Sequence, residues 1–215
     1  MTAETIPHHD ADAFFKKLLR DLRPLFKQSG FRSSSQNFTL ETHECWAVIN
    51  FQKSRWSSPG EKSFYINVSV TAKRVLAFQG EYSHKAPVFY ACDWRWRAEQ
   101  LGPDSQVTQW TIKDESTAQD VFLYLQKLFA DFVIPAVKEL CTETALINNA
   151  TSNPGYPQSK AISILLAANN RAQDLSTVVA YLVERFGGGV VGVGVRDHLA
   201  KLRASFPEQM HQIER

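Results

Sequence analysis

Hydrophobic and polar positions repeat with two different periods along this chain. Residues 10–29 carry Phe14, Leu18, Leu22 and Leu25 at spacings of four, four and three, one stripe of an amphipathic helix. Asp10 or Asp12 is placed to cap its start and Gly30 to end it, and Pro24 predicts a kink near residues 20–23. A period of two follows. The segments 31–41 and 45–54 alternate as strands on either side of Thr42-His43-Glu44, which fits a tight hairpin connection. Residues 63–72 make the cleanest strand: Phe64, Ile66, Val68 and Val70 face one way, and Tyr65, Asn67, Ser69 and Thr71 the other. Residues 55–61 between these strands read as a loop by their Ser-Pro-Gly content.

Residues 73–105 are irregular and rich in aromatics, ending in a Gly-Pro-Asp turn at 102–104, and 106–113 reads as a fourth strand. Ser116 or Thr117 then opens a long helix to about Thr144. Val121, Leu125, Leu128 and Phe132 form one apolar stripe on it; Phe122, Phe129, Val133 and Leu140 form a second. So wide an arc predicts cover on two sides, and Pro135 predicts a kink. Residues 148–159 mark a boundary, and 160–169, 174–186 and 197–213 are helical around the glycine run 187–194. The expected architecture is α+β. An antiparallel sheet of about four to five strands packs against the N-terminal and long helices over residues 1–147, and 148–215 is a helical C-terminal extension packed on it.

Composition excludes several classes. With 44% hydrophobic, 12% aromatic and 21% charged residues, the chain is neither disordered nor collagen-like. A formal charge of +2 supplies no global basic field, so nucleic acid is not the favoured partner. The most apolar segment, 121–140, is broken by Gln126, Lys127, Asp131, Lys138 and Glu139, so no membrane span is expected. The N-terminal stretch has no features of a secretory signal, and a cytoplasmic location is the expectation. Cys45, Cys92 and Cys141 are odd in number and widely spaced, which suggests neither a disulfide framework nor a zinc site.

Candidate chemistry is sparse. Gly187, Gly189 and Gly192 satisfy G-x-G-x-x-G, but a helix-like segment precedes them, so they read as a helix end followed by a flexible connection. His43-Glu44-Cys45 would point to alternate faces of a strand. His8-His9, His84, His198 and His211 have no spaced partners. No catalytic, cofactor-binding or metal-binding residue is nominated. An enzyme assembled from distant groups, for example His43, Glu44 and Asp93, is one alternative.

The informative feature is the polar side of the sheet. Trp46, Asn50 and Gln52 share one face of their strand, as do Tyr65, Asn67, Ser69 and Thr71 of the next. Asn is disfavoured in strands, so Asn50 and Asn67 ask for a reason. One reading is a solvated face or amides buried against a loop. The other is an exposed recognition band rimmed by Lys53, Arg55 and Trp56 and by the Asp93–Arg97 stretch. If extended, that stretch sets Arg95 and Arg97 on one side, suited to carboxylates or phosphates, and Trp94 and Trp96 on the other. Core tryptophans beside surface arginines are the plainer reading of it. Residues 30–97 hold nine basic and five acidic side chains, a local +4. The candidate partner-binding set is Trp46, Asn50, Gln52, Lys53, Arg55, Trp56, Tyr65, Asn67, Arg95 and Arg97.

Gly30-Phe31 after the first helix, Asn50-Phe51-Gln52-Lys53-Ser54 and Ile66-Asn67-Val68 together resemble a bacterial family, domain of unknown function 4304, over about residues 12–145. Cys92 to Arg97 is similar to that family's Arg-containing segment before a final strand. The resemblance implies an α+β fold and one network for Asn50, Gln52 and Asn67; it implies no activity or cofactor. By analogy of class, such domains serve as partners or immunity factors for toxins. The expected function is a non-enzymatic interaction module with a protein partner. A single-stranded nucleic-acid binder stacking bases on Trp46, Trp56 or Tyr65 is the other alternative.

Overall fold

The computed structural model describes residues 10–58, 60–103, 109–150 and 154–213. His8-His9, Pro59, Asp104, residues 106–108 of the expected fourth strand and 151–153 of the expected boundary lie outside them. The described residues are α+β and form two compact units. The first takes those up to Thr42 with Trp46–Val70 and Ala86–Glu139; the second takes His43–Cys45, Thr71–Lys85 and the chain from Leu140.

In the first unit, helix α1 (Ala11–Gln28) starts where Asp10 Oδ1 accepts the N–H groups of Asp12 at 3.1 Å and Ala13 at 3.2 Å. It runs through Pro24 to Ser29, and Gly30 turns the chain at φ +92°. The buried stripe is Phe15, Leu18, Leu19, Leu22 and Phe26; the expected Phe14 and Leu25 flank it, half-buried. The stripe is rotated by one residue because the large rings at 15 and 26 take the sheet-facing positions.

Among the described residues six strands follow: β1 (Arg32–Ser34), β2 (Asn37–Glu41), β3 (Cys45–Lys53), β4 (Lys62–Ala72), β5 (Trp94–Arg97) and β6 (Trp110–Ile112). Their order is β1-β2-β3-β4-β5, and β6 shares with β5 the β4 edge away from β3, pairing Lys62–Phe64 while β5 pairs Asn67–Val70. Residues 31–41 are therefore not one strand. They are a hairpin that turns at Ser35-Gln36, with Ser35 at φ 53°. Across the next connection Glu41 pairs with Trp46 and Asn37 with Asn50.

One sheet face carries Phe38, Ile49, Phe51, Phe64, Ile66, Val68 and Trp94, all fully buried. The helices of this unit supply the opposing rings. Phe26 stacks on Phe38 at 4.0 Å and meets Phe129 at 4.8 Å, and Phe15 meets Phe64 at 5.0 Å. Phe51 lies among Phe38, Phe64 and Phe129, with centroids 5.7, 6.0 and 5.8 Å away. Each buried ring contributes about 1.5–3 kcal/mol by transfer alone.

Phe129 comes from the long helix, which is not continuous. Helix α3 (Glu115–Leu128) is capped by Asp114, whose Oδ1 accepts the Thr117 N–H, rather than by Ser116 or Thr117, and Thr117 Oγ1 accepts the Asp114 N–H at 3.0 Å. It then widens into one π turn, Phe129–Val133, and resumes as α4 (Ile134–Leu140). Pro135 has no N–H for the Asp131 carbonyl, and the wider turn absorbs the missing bond.

The second unit holds α2 (Lys73–Gln79), α5 (Glu143–Asn148), α6 (Tyr156–Ala168), α7 (Ala172–Phe186), α8 (Gly189–Ser205) and α9 (Pro207–Ile213). The first of these lies in a stretch expected to be irregular; Gly80 at φ +81° ends it. Residues 161–167 of α6 are buried on every side, against α2, α5, α7 and α8. The glycine run is not a flexible connection. Gly187 and Gly188 make a two-residue corner, and Gly189 onward is the first part of α8. A side chain at Gly192 would place its Cβ 2.1 Å from the Gly187 carbonyl oxygen.

His198, without a spaced partner in the sequence, is buried in this unit. Ser163 Oγ gives its proton to the Lys160 carbonyl at 2.7 Å, so His198 Nε2, 2.8 Å away, carries the proton of their shared bond. Phe78 covers the ring edge-on at 5.9 Å. Burial, with Lys160 and Lys201 nearby, pulls the imidazole down from 6.5 to about 4.

Phe51→Ala is expected to cost about 3–5 kcal/mol in urea unfolding, because the cavity is bounded by rings on two layers. Above pH 6.5 the native and unfolded forms of His198 are both neutral. Between 6.5 and about 4 only the unfolded form takes the proton, so stability falls with pH, by up to about 3 kcal/mol. Melting temperatures of the second unit from pH 7 to 4 are expected to drop in the wild type and to drop less in His198→Gln.

Candidate functional site

Strand parity and register put Asn37, Asn50, Asn67 and Arg97 in one row across β2, β3, β4 and β5: Asn37 pairs with Asn50, and Asn67 with Arg97. Their side chains join into a ladder. Arg97 Nη1 donates to Asn67 Oδ1. Asn67 Nδ2 donates to Asn50 Oδ1 at 3.2 Å and to Gln52 Oε1 at 3.0 Å, and Asn50 Nδ2 donates to Asn37 Oδ1 at 2.6 Å. The Arg97 guanidinium lies 4.7 Å over the Tyr65 ring, and Gln100 Oε1 accepts the Arg97 N–H at 2.7 Å. Asn50 and Asn67 are buried, Gln52 is exposed, and Asn37, Tyr65 and Arg97 are half-buried.

The polar face is thus not an open band. Trp46, Val48, Ser69 and Thr71 on it are also buried. Part of the cover comes from residues 86–91, which end in a 3-10 turn (Phe89–Ala91) and lead into Cys92. Ser69 Oγ donates to the Val48 carbonyl at 3.3 Å, and the Cys92 thiol reaches the Val88 carbonyl at 3.8 Å. Between this segment and the sheet lies a cleft of about 440 Å³. Its floor includes Asn37, Asn50, Thr39 and Val48; its wall is Pro87–Tyr90, with Val88 50% and Tyr90 68% exposed.

Five of the residues expected to form the surface therefore meet in one network: Asn50, Gln52, Tyr65, Asn67 and Arg97. Arg95 is on the same face, paired with Ser69, and exposed. Trp46 shares the face but is only 3% exposed. Lys53 is turned to the helix side, where its Nζ lies 2.7 Å from Asp12 Oδ1. Lys16 at 2.9 Å and Lys62 at 3.4 Å meet the same carboxylate, and these bonds, Lys53's foremost, hold Asp12 well below the usual carboxylate range. Arg55 and Trp56 form an exposed pair in the loop after β3, with the guanidinium 4.9 Å over the indole. Trp94 joins the core, leaving Arg95 and Arg97 on the polar side.

Two parts of the site were not among the candidates: Asn37, and the Pro87–Tyr90 wall. Asn37 could have been found from register, since it stands opposite Asn50. Nothing in the local sequence marks 87–90 as the cover of a sheet.

Nucleophilic and metal chemistry finds little here. Burial pushes the Cys92 thiol up to about 12, against the opposing pull of its hydrogen bond with Ser69. Cys141 is likewise pushed up to about 12 by burial, and Cys45 further. Among the described residues no group of three His, Cys, Asp or Glu side chains could hold a metal ion. Glu44 of His43-Glu44-Cys45 accepts the Glu143 N–H at 2.6 Å at the start of α5. No described helix is long and apolar enough to cross a membrane.

Among family models, Domain of unknown function (DUF4304) matches residues 22–139, more than half of the chain. No curated protein and no solved structure matches.

Asn67 makes three side-chain hydrogen bonds from a buried position. Asn67→Ala is expected to cost about 2–3 kcal/mol, because it orphans two amide oxygens and a guanidinium N–H. Urea unfolding of this variant beside the exposed-site change Arg95→Ala, expected to cost under about 1 kcal/mol, checks it.

Proposed function

The chain belongs to the family Domain of unknown function (DUF4304), and we propose that it acts as a non-enzymatic protein-interaction module, of the kind a toxin-neutralising immunity protein would use. The cleft beside the amide ladder carries this reading. A floor of fixed amides, a wall with Val88 and Tyr90 exposed, and Arg95 exposed on the same sheet face combine groups that dominate protein interfaces. The cover over the sheet leaves the ladder's outer members, Asn37 and Gln52, open to a partner. The exposed Arg55/Trp56 pair adds a second anchor of hot-spot type.

Base stacking has less to work with on this face. The Tyr65 ring already carries Arg97, and Trp46 is buried. The raised thiol values support a surface without a cysteine nucleophile.

Affinity capture of the tagged full chain from cells that express it, at low and moderate salt, tests the proposal. One stoichiometric protein that persists in moderate salt is expected. Tyr90→Ala and Arg95→Ala should each weaken its retention about tenfold while leaving the melting temperature unchanged. Nucleic acid that washes out with salt, or no retained partner, would overturn the reading.

A further inference from the structure

We infer that the open side of the amide ladder reads carboxylates, and that the segment it takes is an extended stretch of a protein partner with acidic side chains at alternate positions. The inference rests on the interaction-module reading and adds the chemistry of the partner. It follows from what Arg97 can offer. A guanidinium has donors only, so Asn67 must meet it with oxygen. Both N–H bonds of the Asn67 amide then point to oxygens of Asn50 and Gln52, and Asn50 must offer its nitrogen to Asn37 Oδ1. Each amide oxygen of the four side chains already accepts one bond within the ladder.

The unspent protons lie at the ladder's ends. The Asn37 and Gln52 amide nitrogens and the rest of the Arg97 guanidinium find no acceptor among the described residues. Arg32 and Arg95 flank them on the same face, set there by pairing with Thr39 and Ser69. Among the described residues no carboxylate lies within ion-pair distance of Arg32, Arg95 or Arg97. Donor ends flanked by three arginines that make no ion pair among the described residues are complementary to anionic oxygen, and each carboxylate accepts from two donors at once.

Spacing selects the form of the ligand. The ladder crosses three strand intervals, about 14 Å. Alternate side chains of an extended segment lie about 6.7 Å apart, so carboxylates at three alternate positions span about 13 Å. Over the Asn37 and Asn50 end of the row, the intervening side chains would face the Val88, Phe89 and Tyr90 wall, which suits apolar groups. An acidic–apolar alternation fits floor and wall together.

The test is a fluorescence anisotropy titration of the full chain with a labelled, end-blocked decapeptide of alternating Glu and Val, at about 50 and 200 mM salt. Its Gln–Val counterpart and a labelled oligo-dT of the same length are titrated in parallel. Gln52→Glu is the discriminating variant. It keeps an oxygen for the Asn67 amide, so the ladder stands, and replaces the outward donor by a carboxylate oxygen. We expect the Glu–Val peptide to bind at least about tenfold more tightly than the Gln–Val peptide, and Gln52→Glu to lose about tenfold with an unchanged melting temperature. Equal affinity for the two peptides, indifference to Gln52→Glu, or preference for oligo-dT with a steep salt slope would overturn the inference. A partner captured from cells and still retained by Gln52→Glu would leave the module standing and remove its acidic ligand.

Discussion

Arg97 has only donors, and this fixes the direction of every amide bond on the polar side of the sheet. From it the order runs through Asn67 to Asn50 and Gln52, and on to Asn37, with one residue from each of four neighbouring strands in the row. A polar group in a covered strand must find its partners nearby or destabilise the fold by about 1–3 kcal/mol. Here the partners are one another. The ladder ties β2 to β5 by side chains in addition to the backbone bonds, and a slip of one residue in any strand would carry its member to the opposite face.

That face is held in place by the other one. Phe26, Phe38, Phe51, Phe64 and Phe129 interlock between the sheet and two helices at centroid distances of 4.0 to 6.0 Å. Close-packed rings on one side leave a strand no freedom to rotate. The amides on the other side are therefore presented at fixed spacing, and a ligand would meet donors already in position. Such preorganisation removes part of the ordering cost of binding.

Much of this was legible in the residues. The alternation of β4 is plain; parity put Asn50 and Gln52 on one face of their strand and Asn67 on one face of the next, and the family resemblance implied one network for the three, in which they meet. Burial of Asn50 and Asn67 against a loop was one of two readings, and the identity of that cover was not legible, because part of it arrives from residues 86–91, fourteen to nineteen positions past the end of β4. Residues 31–41 read as one strand because the turn at Ser35-Gln36 lacks the Asn-Gly or Gly-X signature of a two-residue hairpin. The connection after β2 read as three residues, whereas the observed pairing of Glu41 with Trp46 leaves four between them. That single residue decides whether Asn37 stands opposite Asn50, and composition carries no trace of it. Lys53 went to the other face for the same reason of parity: it follows Phe51 by two. Helix α2 is seven residues long with no side-chain cap, too short for periodicity to reveal.

The corner between α7 and α8 is the other place where residue type misleads. Gly187 to Gly194 has the look of a low-complexity spacer, a stretch where any small residue would do. Yet a Cβ at Gly192 would collide with the Gly187 carbonyl oxygen, and one at Gly194 would come within 2.6 Å of the Tyr156 hydroxyl. The valines between them, Val190, Val191 and Val193, stand 92%, 45% and 50% exposed. Substitution tolerance along this run is therefore inverted. The bulky apolar positions are free to drift toward polar residues, while Gly192 and Gly194, with no side chain at all, are under sequence constraint.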